Sequence, residues 1–514
     1  MATMDVTATI HEIEEHDGDL AEEIDLDDTQ PPVHFYPPLY LQRRIWILDI
    51  LRRENIVDVL DVGCGEGQLL SVLAQPAPWL APPLVSIFPQ NDARNSDAVE
   101  LSYRSDMPNL HPRRIAGLDI SASDLAFAVK ETQPPGDTAS EDIDNPYTVH
   151  VTRWEDLNAK VWKGGLEVVN EEFVGVECIV CTEVIEHLPP DILPALAPML
   201  LGIYQPQRLL ITTPSFTFNT RFTRPGAPRS VRLRQGYADP TGRTDRVFRH
   251  HDHKFEWTPE EFEVWCREAS EQWGYDIEEL GGVGRALEDD PWGRDDALGN
   301  ASLVVSFCRK EDGRAAERAG KARAVLDGLA LGGEPHELLA EHLHKAHEMS
   351  RRAPTTDSVK DIGDLVKAKM EGCREAIIPL EQIWFEKDVG VLCGGWIEVL
   401  IWAVEAYDGL NVLKANDGTK EWSIELVGGV KEPVLFWNNE AETSVDLIPH
   451  DWIPGQDPGE QSDEDVPSTV SSTGADGDVS WDGSEIEDDT TWSKEGWATS
   501  EEREQGWGGC EQEA

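Results

Sequence analysis

The sequence predicts an α/β fold in which helices pack around a mainly parallel β-sheet. Residues 57–70 have the pattern of a strand, a glycine turn and a helix start, and residues 114–121 read as a strand that ends in an acid. Residues 176–181 form a short apolar run, typical of a buried strand, and two acids and a histidine follow it. Open α/β sheets bind ligands at the carboxyl ends of their strands. These strands therefore predict a functional site along one edge of the sheet.

The composition excludes several classes of protein. The 514 residues carry 98 acidic and 44 basic side chains, which gives a net charge of −54. So acidic a chain repels nucleic acid on average, and any nucleic-acid site must be a local basic patch. The eight cysteines are scattered, as in a reducing compartment and not as in a disulfide framework. Apolar runs are shorter than the ~20 residues of a membrane helix, and residues 1–28 lack a signal-peptide core.

Cys178 and Cys181 form a C-x-x-C pair inside the predicted strand over residues 176–181. Alternation along a strand turns two such residues to opposite faces of the sheet. We therefore expect neither a metal knuckle nor a redox pair here.

The first candidate binding motif is the glycine turn Asp61-Val-Gly63-Cys-Gly65-Glu-Gly67, which follows an amphipathic helix ending near Arg53. Glycines let the backbone approach a ligand closely, and the helix that follows offers free N–H groups. The spacing differs from the dinucleotide fingerprint G-x-G-x-x-G. It resembles the first motif of class I S-adenosylmethionine (SAM) methyltransferases, which implies that Asp61, Gly63 and Gly65 bind SAM.

The second strand ends at Asp119, where an acid can accept hydrogen bonds from both ribose hydroxyls of a nucleoside cofactor. Ser121 or Ser123 is also a suitable cap for the next helix, and both roles can hold together. We therefore place Asp119 and Ser121 in the cofactor site. A third strand is predicted over residues 147–151. Trp154, shortly after it, either lines the adenine pocket of the resembled fold or belongs to the core.

The string Cys181-Thr-Glu183-Val-Ile-Glu186-His187-Leu188 places two carboxylates and an imidazole at the end of the buried strand. Such oxygen and nitrogen ligands suit Mg²⁺, Mn²⁺ or Zn²⁺. The alternative is that the acids are ordinary loop residues and that His187 only precedes the helix over residues 189–201. Strands are also predicted over residues 207–213, 275–280 and 301–308.

Residues 221–249 form a loop rich in glycine and proline with eight arginines and two aspartates, a local charge of +6. A basic loop is usually only solvated. Beside the predicted site of so acidic a protein, we favour phosphate binding. The arginines that we propose for RNA are Arg221, Arg224, Arg229, Arg232 and Arg234.

The string His250-His251-Asp252-His253-Lys-Phe-Glu256-Trp257-Thr258 ends at a predicted helix start. Thr258 and Glu261 have the spacing of a capping box, with Pro259 at the first helical position. A histidine of this loop can supply a fourth ligand to the ion that the two acids and His187 would hold. Asp252 can orient a ligating imidazole.

Five strings resemble the Hua-enhancer (Hen-type) family of small-RNA 3′-terminal 2′-O-methyltransferases. They are Pro37-Pro-Leu-Tyr-Leu-Gln-Arg, Asp61-Val-Gly-Cys-Gly, Glu183-Val-Ile-Glu-His-Leu, Thr213-Pro-Ser-Phe-Thr-Phe-Asn and Asp252-His-Lys-Phe-Glu-Trp-Thr. The resemblance covers about residues 36–310, and its most specific part is D-H-K-F-E-W-T. Ser215 stands where the family commonly has asparagine, so the contact made by that loop stays open.

The resemblance implies a class I SAM methyltransferase fold that binds SAM and either Mg²⁺ or Mn²⁺. The ligands that it implies are Glu183, Glu186, His187 and His253. The ion would bind both hydroxyls of the terminal nucleotide and, as a Lewis acid, lower the pKa of the 2′-OH. The proton acceptor would be His187 or a neighbouring imidazole.

The expected substrate is the 3′ end of a small single-stranded RNA, of the siRNA or piRNA kind, either free or held by another protein. Only about 35 residues precede the domain, so we expect no double-stranded RNA-binding modules before it. Weak sequence preference is expected, because phosphate contacts position an RNA without specifying its bases.

The C-terminal third has two parts. Residues 311–450 read as a mainly helical region, with helical periodicity over residues 315–331 and 335–350 and a strongly apolar stretch over 377–407. From residue 451 the chain is acidic and rich in Ser, Gly and Thr, so we expect disorder. Trp497 and Trp507 are flanked by glycine there and resemble the GW/WG repeats that dock on Argonaute proteins; chance among 18 tryptophans is the alternative.

The predicted chain thus has four parts: a disordered N-terminus (1–34), a SAM-dependent RNA methyltransferase domain (35–310), a helical region (311–450) and a disordered tail (451–514). We expect a monomeric cytoplasmic protein, with the nucleus as an alternative compartment, that protects small silencing RNAs. The rivals are a small-molecule O-methyltransferase and an inactive scaffold that binds Argonaute or Piwi proteins. The arginine loop argues against the first rival, and the intact Asp61, Asp119 and ligand set argue against the second.

Overall fold

The computed structural model describes residues 33–82, 109–135, 152–352, 356–414 and 422–430. The predictions for residues 1–32, for a strand over 147–151 and for the tail with Trp497 and Trp507 lie outside these ranges. No helix in the described part of the chain has both the length and the apolar character needed to cross a membrane.

Thirteen strands are present in the described ranges. They are β1 (Asp58–Val62), β2 (Arg114–Asp119), β3 (Leu157–Lys163), β4 (Cys178–Thr182), β5 (Arg208–Pro214), β6 (Tyr237–Ala238), β7 (Val247–Phe248), β8 (Tyr275–Val283), β9 (Ser302–Arg309), β10 (Glu337–His344), β11 (Ile377–Pro379), β12 (Leu410–Leu413) and β13 (Ser423–Leu426).

Eight of these strands form the central sheet, in the order β10-β3-β2-β1-β4-β5-β9-β8. The five strands from β3 to β5 are parallel, and β8, β9 and β10 run antiparallel to their neighbours. The carboxyl ends of β1, β2, β4 and β5 therefore meet along one edge. From β1 the chain adds β2 and β3 on one side and then β4 and β5 on the other. Such a reversal of direction leaves a crevice at the carboxyl ends of β1 and β4.

The α-helices are α1 (Leu39–Arg53), α2 (Gln68–Leu73), α3 (Ala122–Glu131), α4 (Leu193–Ala197), α5 (Arg229–Arg232), α6 (Pro259–Trp273), α7 (Asp295–Leu298), α8 (Ala315–Leu329), α9 (Thr356–Cys373), α10 (Leu380–Trp384), α11 (Lys387–Leu392) and α12 (Ile397–Glu405). A π-helical stretch, Pro198–Tyr204, continues α4. Shorter 3₁₀ turns cover Glu171–Phe173, Ile185–His187, Thr217–Phe222 and Glu348–Arg351.

The sheet is covered on both faces, which makes a three-layer arrangement. Helices α1, α2 and α3 bury their apolar residues against one face, and the π-helical stretch, α6 and α8 cover the other. Cys178 belongs to the first cluster and Cys181 to the second. Both thiols are free and buried, which confirms that this C-x-x-C pair straddles the sheet.

Several predicted elements are confirmed with small shifts of their ends. Helix α6 begins at Pro259 behind a complete capping box: the Thr258 side chain accepts from the Glu261 N–H, and the Glu261 carboxylate accepts from the Thr258 N–H. Because this cap fixes where the helix starts, it also fixes where the preceding histidine loop ends.

One prediction about the sheet is wrong. Residues 335–350 are not a continuous helix, since they contain β10, which pairs with β3 as an edge strand, and end in a 3₁₀ turn. The unit built on the central sheet therefore extends past the predicted boundary at residue 310 to include α8 and β10. In the described part of the chain, β3 is the strand that pairs with β2, and it follows Trp154.

A second, smaller unit, the C-terminal unit, follows the central sheet along the chain. Its helices α9 to α12 and its three-stranded sheet β11-β13-β12 share an apolar core. That core also includes Trp79, Leu80 and Trp154 of the unit built on the central sheet. The indole N–H groups of Trp154 and Trp384 both donate to the Pro78 carbonyl, at 3.1 and 3.0 Å. The second unit therefore packs where β3 begins, at the amino-terminal edge of the sheet.

Candidate active site

The glycine turn between β1 and α2 forms one side of the site. Gly63, Gly65 and Gly67 have φ values of 74°, 50° and 83°, a region that residues with side chains rarely adopt. Gly63 also leaves no room for a side chain, because an added Cβ would lie 2.2 Å from Cγ2 of Val184. This close approach joins the glycine turn to the loop after β4.

Asp119 lies beside the turn and is held by two backbone groups. Its Oδ2 accepts from the Gly65 N–H at 2.9 Å, and its Oδ1 accepts from the Ser121 N–H at 2.8 Å. A carboxylate has about four acceptor positions, so both oxygens can still accept from hydroxyl groups. Ser121 is also the N-cap of α3, where its side chain accepts from the Asp124 N–H. The predicted helix cap is confirmed, and it leaves Asp119 able to bind a ribose.

Asp61 is the second acid of this pocket and is 4% exposed. Burial raises its pKa to about 7, and the charge of Asp119 acts in the same direction, while Arg44 opposes both. Strands β1 and β2 pair in register up to Val62 and Leu118, so the two acids lie at the carboxyl ends of adjacent strands. The predicted cofactor residues Asp61, Gly63, Gly65, Asp119 and Ser121 thus come together.

The prediction that Trp154 lines an adenine pocket is wrong. Trp154 precedes β3, so it lies at the amino-terminal edge of the sheet and not beside Asp119. Its ring packs against Trp384 with 6.3 Å between centroids, and an added Cβ on Gly395 would lie 2.7 Å from its Cδ2. Trp154 therefore belongs to the core shared by the two units.

Glu183 follows β4 with an unusual positive φ of 52°. Its Oε2 lies 3.0 Å from Nη1 of Arg43, on α1, and its Oε1 accepts from the Thr212 hydroxyl at 2.8 Å. The neighbouring Arg44 donates to Gln68 Oε1 at 2.9 Å, at the start of α2. Helix α1 therefore contacts both the loop after β4, through Glu183, and helix α2, which follows the glycine turn.

Glu186 is fully buried, and only one of its carboxylate oxygens is satisfied. Oε2 accepts from the Thr213 hydroxyl at 2.9 Å, whereas Oε1 has no hydrogen-bond partner among the described residues. Burial raises the pKa of Glu186 to about 8, the charge of Glu183 adds to this, and His253 opposes it. A buried carboxyl with an unpaired oxygen is costly, and an adjacent cation would satisfy it.

Three imidazoles face one another beside this acid. The ring centroids of His187 and His253 are 4.9 Å apart, those of His250 and His253 are 5.2 Å apart, and those of His187 and His250 are 5.8 Å apart. One nitrogen from each ring lies within 4.8 Å of the other two. Among the described residues, this is the only group of three side chains placed to hold a metal ion.

Carboxylates orient two of these rings. Nδ1 of His253 lies 2.6 Å from Glu256 Oε1, and Nδ1 of His187 lies 3.3 Å from Asp252 Oδ2. The hydrogen bond with His187 holds the pKa of Asp252 well below its usual range. A carboxylate that accepts from Nδ1 leaves Nε2 as the ring nitrogen that can bind an ion.

The structure brings together most of the predicted ligands and adds one residue. His187 and His253 meet as predicted, and the Glu186 carbonyl accepts from the Lys254 N–H at 2.8 Å, which ties the two loops together. Glu183 instead pairs with Arg43, so its part in binding an ion stays a prediction. His250, which is not among the ligands that the resemblance implies, joins the cluster. The three histidines within residues 250–253 are the sequence pattern that indicates it.

The arginine loop is only partly available to a ligand. The prediction that Arg221 binds RNA is wrong, because Arg221 is 2% exposed, pairs with Asp295 at 2.8 Å and donates to the Glu288 carbonyl. Arg224, Arg229 and Arg234 are exposed, and Arg232 is half-buried. A cavity of about 250 Å³ lined by Arg243, Arg246 and Thr244 also borders Glu256.

Parts of this chain are similar to known proteins. A methyltransferase domain family model matches residues 33–270. The Small RNA 2′-O-methyltransferase of Arabidopsis thaliana is 27% identical over 54% of this chain and 23% of its own length. The protein of the same name from Schizosaccharomyces pombe is 27% identical over 53% of this chain and 60% of its own length.

Among solved structures, the small RNA methyltransferase HEN1 aligns with a TM-score of 0.38 and 24% identity, over 62% of this chain and 29% of that one. The matches thus cover about half of this chain and from about a quarter to three fifths of these curated relatives. The relatives' names agree with the resemblance found in the sequence. Residues 33–270 of this chain are therefore similar to a methyltransferase domain, and about half of the chain is similar to proteins named Small RNA 2′-O-methyltransferase.

Proposed function

We propose that this protein transfers a methyl group from SAM to the 2′-OH of the 3′-terminal nucleotide of small silencing RNAs, with Mg²⁺ or Mn²⁺ bound at the histidine cluster. The names of the relatives support the substrate class. The observation that carries the proposal is the convergence of His187, His250 and His253 beside the unpaired oxygen of Glu186. This group adjoins the glycine turn through the contact of Gly63 with Val184.

The side chains present fit a divalent ion. His187 and His253 each direct a lone pair away from a carboxylate partner, and Glu186 has an unpaired oxygen in a buried site. We propose His187, His253, Glu186 and Glu183 as the holding residues, with Glu183 leaving Arg43 to take part. A divalent ion would supply Lewis acidity that lowers the pKa of a bound hydroxyl group.

The residues of the cofactor pocket would bind and orient SAM. Asp119 can accept from the ribose hydroxyls, and Asp61 adds negative charge beside a cofactor that carries a positive sulfonium. In the reaction an oxygen–methyl bond forms at the 2′ position, the sulfur–methyl bond breaks, and the 2′-OH proton is lost. A ligating His187 would have both nitrogens occupied, one by Asp252 and one by the ion. We therefore do not assign it as the proton acceptor.

The exposed arginines of the loop over 221–249 are proposed to hold the RNA backbone. Arg224, Arg229 and Arg234 are exposed, and the loop is locally basic within a chain of net charge −54. Phosphate contacts of this kind position an RNA without reading its sequence. We further propose that Trp497 and Trp507, which lie outside the described residues, tether the protein to an Argonaute or Piwi protein that presents the RNA end.

The test is transfer of label from methyl-labelled SAM to short single-stranded RNA. Ordinary 3′ ends are compared with 2′-deoxy and 3′-deoxy ends, with and without EDTA, and with the variant His253→Ala. We expect transfer to need both hydroxyls, the ion and His253. Label entering 2′-deoxy RNA would exclude the terminal 2′-O assignment. Label entering only small phenols would favour a small-molecule O-methyltransferase instead.

A further inference from the structure

Glu256 is the most completely buried acid of the histidine loop. It is 0% exposed, and its carboxylate has three hydrogen-bond donors from two segments of the chain. Oε1 accepts from Nδ1 of His253 at 2.6 Å and from the Arg249 N–H at 3.0 Å. Oε2 accepts from Nδ2 of Asn219, which lies in the 3₁₀ turn after β5.

These donors determine what Glu256 does to the imidazole. A backbone N–H and an amide NH₂ can only donate, so the carboxylate acts as the acceptor in both of those bonds. The same oxygen that accepts from Arg249 then faces Nδ1 of His253, which must carry the hydrogen. The lone pair of the ring is therefore on Nε2, the nitrogen that is not turned toward Glu256.

We infer that Glu256 is a positioning residue for the metal site, because it fixes the tautomer and ring orientation of His253 so that Nε2 faces the proposed ion. This inference rests on the proposed function. Asn219 and the Arg249 backbone hold the carboxylate in place, so the ring cannot turn without breaking a buried network. A carboxylate behind a ligating imidazole also makes the ring a stronger ligand, and loss of such a partner typically lowers metal affinity by about 10- to 100-fold.

The His253–Glu256 pair differs from the second histidine–carboxylate pair of the site in distance and burial. His187 has a similar partner in Asp252, but that pair is longer, at 3.3 Å, and both side chains are partly exposed, at 23% and 28%. The His253–Glu256 pair is shorter, at 2.6 Å, and its side chains are 9% and 0% exposed. We therefore expect the protein to lose more metal affinity when Glu256 is removed from His253 than when Asp252 is removed from His187.

The experiment measures Mn²⁺ binding directly, by electron paramagnetic resonance titration of the full-length protein without RNA. Glu256→Ala removes the acceptor, and Glu256→Gln keeps one amide oxygen. We expect Mn²⁺ affinity to fall by about 10- to 100-fold in the alanine variant and by less in the glutamine variant. The control is Glu263→Gln, which removes an acid of α6 that pairs with Arg267 on the helix surface and should leave affinity within about twofold of wild type.

A second readout is the nitrogen chemical shift of His253 in labelled protein, which reports the tautomer without any metal. Wild type should show hydrogen on Nδ1, and Glu256→Ala should show a mixture of tautomers. If Glu256→Ala does not fold, as judged by thermal melting, Glu256→Gln decides the question through Mn²⁺ affinity. Unchanged affinity in a folded variant overturns this inference alone. Absence of Mn²⁺ binding by wild type overturns the proposed metal site, and this inference with it.

Discussion

Glu398 is a carboxylic acid inside the apolar core of the C-terminal unit. It is 2% exposed, and neither carboxylate oxygen has a hydrogen-bond partner among the described residues. Burial therefore raises its pKa to about 7 from the ordinary 4.5. Between these values the folded chain keeps a proton that the unfolded chain has released. The free energy of unfolding should therefore fall with rising pH, by roughly 1.4 kcal/mol per unit, and level off above the folded pKa.

Glu398→Gln should remove the part of this slope that Glu398 contributes, because the amide does not titrate. Asp61 and Glu186, whose pKa values burial also raises, keep their own contributions. We expect the free energy of unfolding of the variant to exceed that of wild type by about 3 kcal/mol at pH values above the window, and to differ little below it. Denaturant unfolding at pH values below, within and above the window measures both. Glu405→Gln, at an exposed position of α12, is the control and should keep the wild-type slope. The same slope in Glu398→Gln as in wild type would contradict the prediction.

Gly63 offers a residue-scale test of the cofactor turn. Gly63→Ala would strain a backbone at φ 74° and place a Cβ 2.2 Å from Val184, so the turn must move. We expect SAM affinity, measured by calorimetry, to fall by about tenfold or more, equivalent to about 1.4 kcal/mol.

Gly175→Ala is the matched control for this change. Its φ of 80° imposes a similar backbone strain, but nothing lies within 4 Å of an added Cβ. The control should lose some stability and keep SAM affinity. Equal loss of SAM binding in both variants would show that backbone strain alone, and not the contact with Val184, explains the effect.

The residues that could be predicted from sequence at this scale are those that lie close together along the chain. Glu183, Glu186 and His187 share one loop after a strand, so local spacing was enough to group them. Arg43 could not be predicted as a partner of Glu183, because 140 residues separate them and only the packing of α1 brings them together. Asn219 could likewise not be predicted as a partner of Glu256, because the two residues are 37 positions apart and only the fold brings them together.

At the scale of elements, the arginine loop divides into a structural part and an exposed part. Arg224→Gln with Arg229→Gln should weaken single-stranded RNA binding. The slope of log affinity against log salt should flatten by about 0.7 for each phosphate that the variant no longer binds. Arg221→Lys should instead lower the melting temperature, because it breaks the buried bonds to Asp295 and Glu288. Fluorescence anisotropy at several salt concentrations checks the slopes, and a flattened slope in Arg221→Lys would count against this division.

Strand β10 shows why an element can escape sequence reasoning. Its apolar residues Leu339 and Leu343 are four apart, which matches a helical period, and both are exposed at 37% and 55%. A strand is predicted from alternating apolar and polar residues, and an edge strand with exposed apolar residues lacks this pattern. Its identity depends on pairing with β3, more than 170 positions earlier in the sequence. Helix α6, by contrast, could be predicted to its first residue because its capping box is local.

For the whole molecule, the tryptophan contacts join the unit built on the central sheet to the C-terminal unit. Trp154→Ala should lower the free energy of unfolding by roughly 3–5 kcal/mol, the usual cost of removing a large buried ring. SAM affinity should stay at the wild-type value, because this ring lies at the opposite edge of the sheet from Asp119. Thermal melting and calorimetry measure the two effects, with Trp154→Phe as a milder variant. Loss of SAM binding at an unchanged melting temperature would restore the adenine role.

The division of the chain into units was only partly predictable. The motif-bearing core of the unit built on the central sheet could be predicted from strand ends and glycines, since each motif is local. The boundary at residue 310 was wrong because α8 and β10 read as the start of a helical region, although β10 completes the sheet. The periodicity of apolar residues indicates which face of a segment is buried. It does not indicate the unit against which that face packs.

The placement of the C-terminal unit has a consequence for assembly. Because the described part of this unit packs where β3 begins, it lies at the opposite edge of the sheet from Asp119 and the histidine cluster. A fluorescent protein or an immobilisation tag carried on the C-terminal unit should therefore leave SAM binding intact. The site and the C-terminal unit thus lie at opposite edges of the sheet, and each can be altered while the properties of the other are measured.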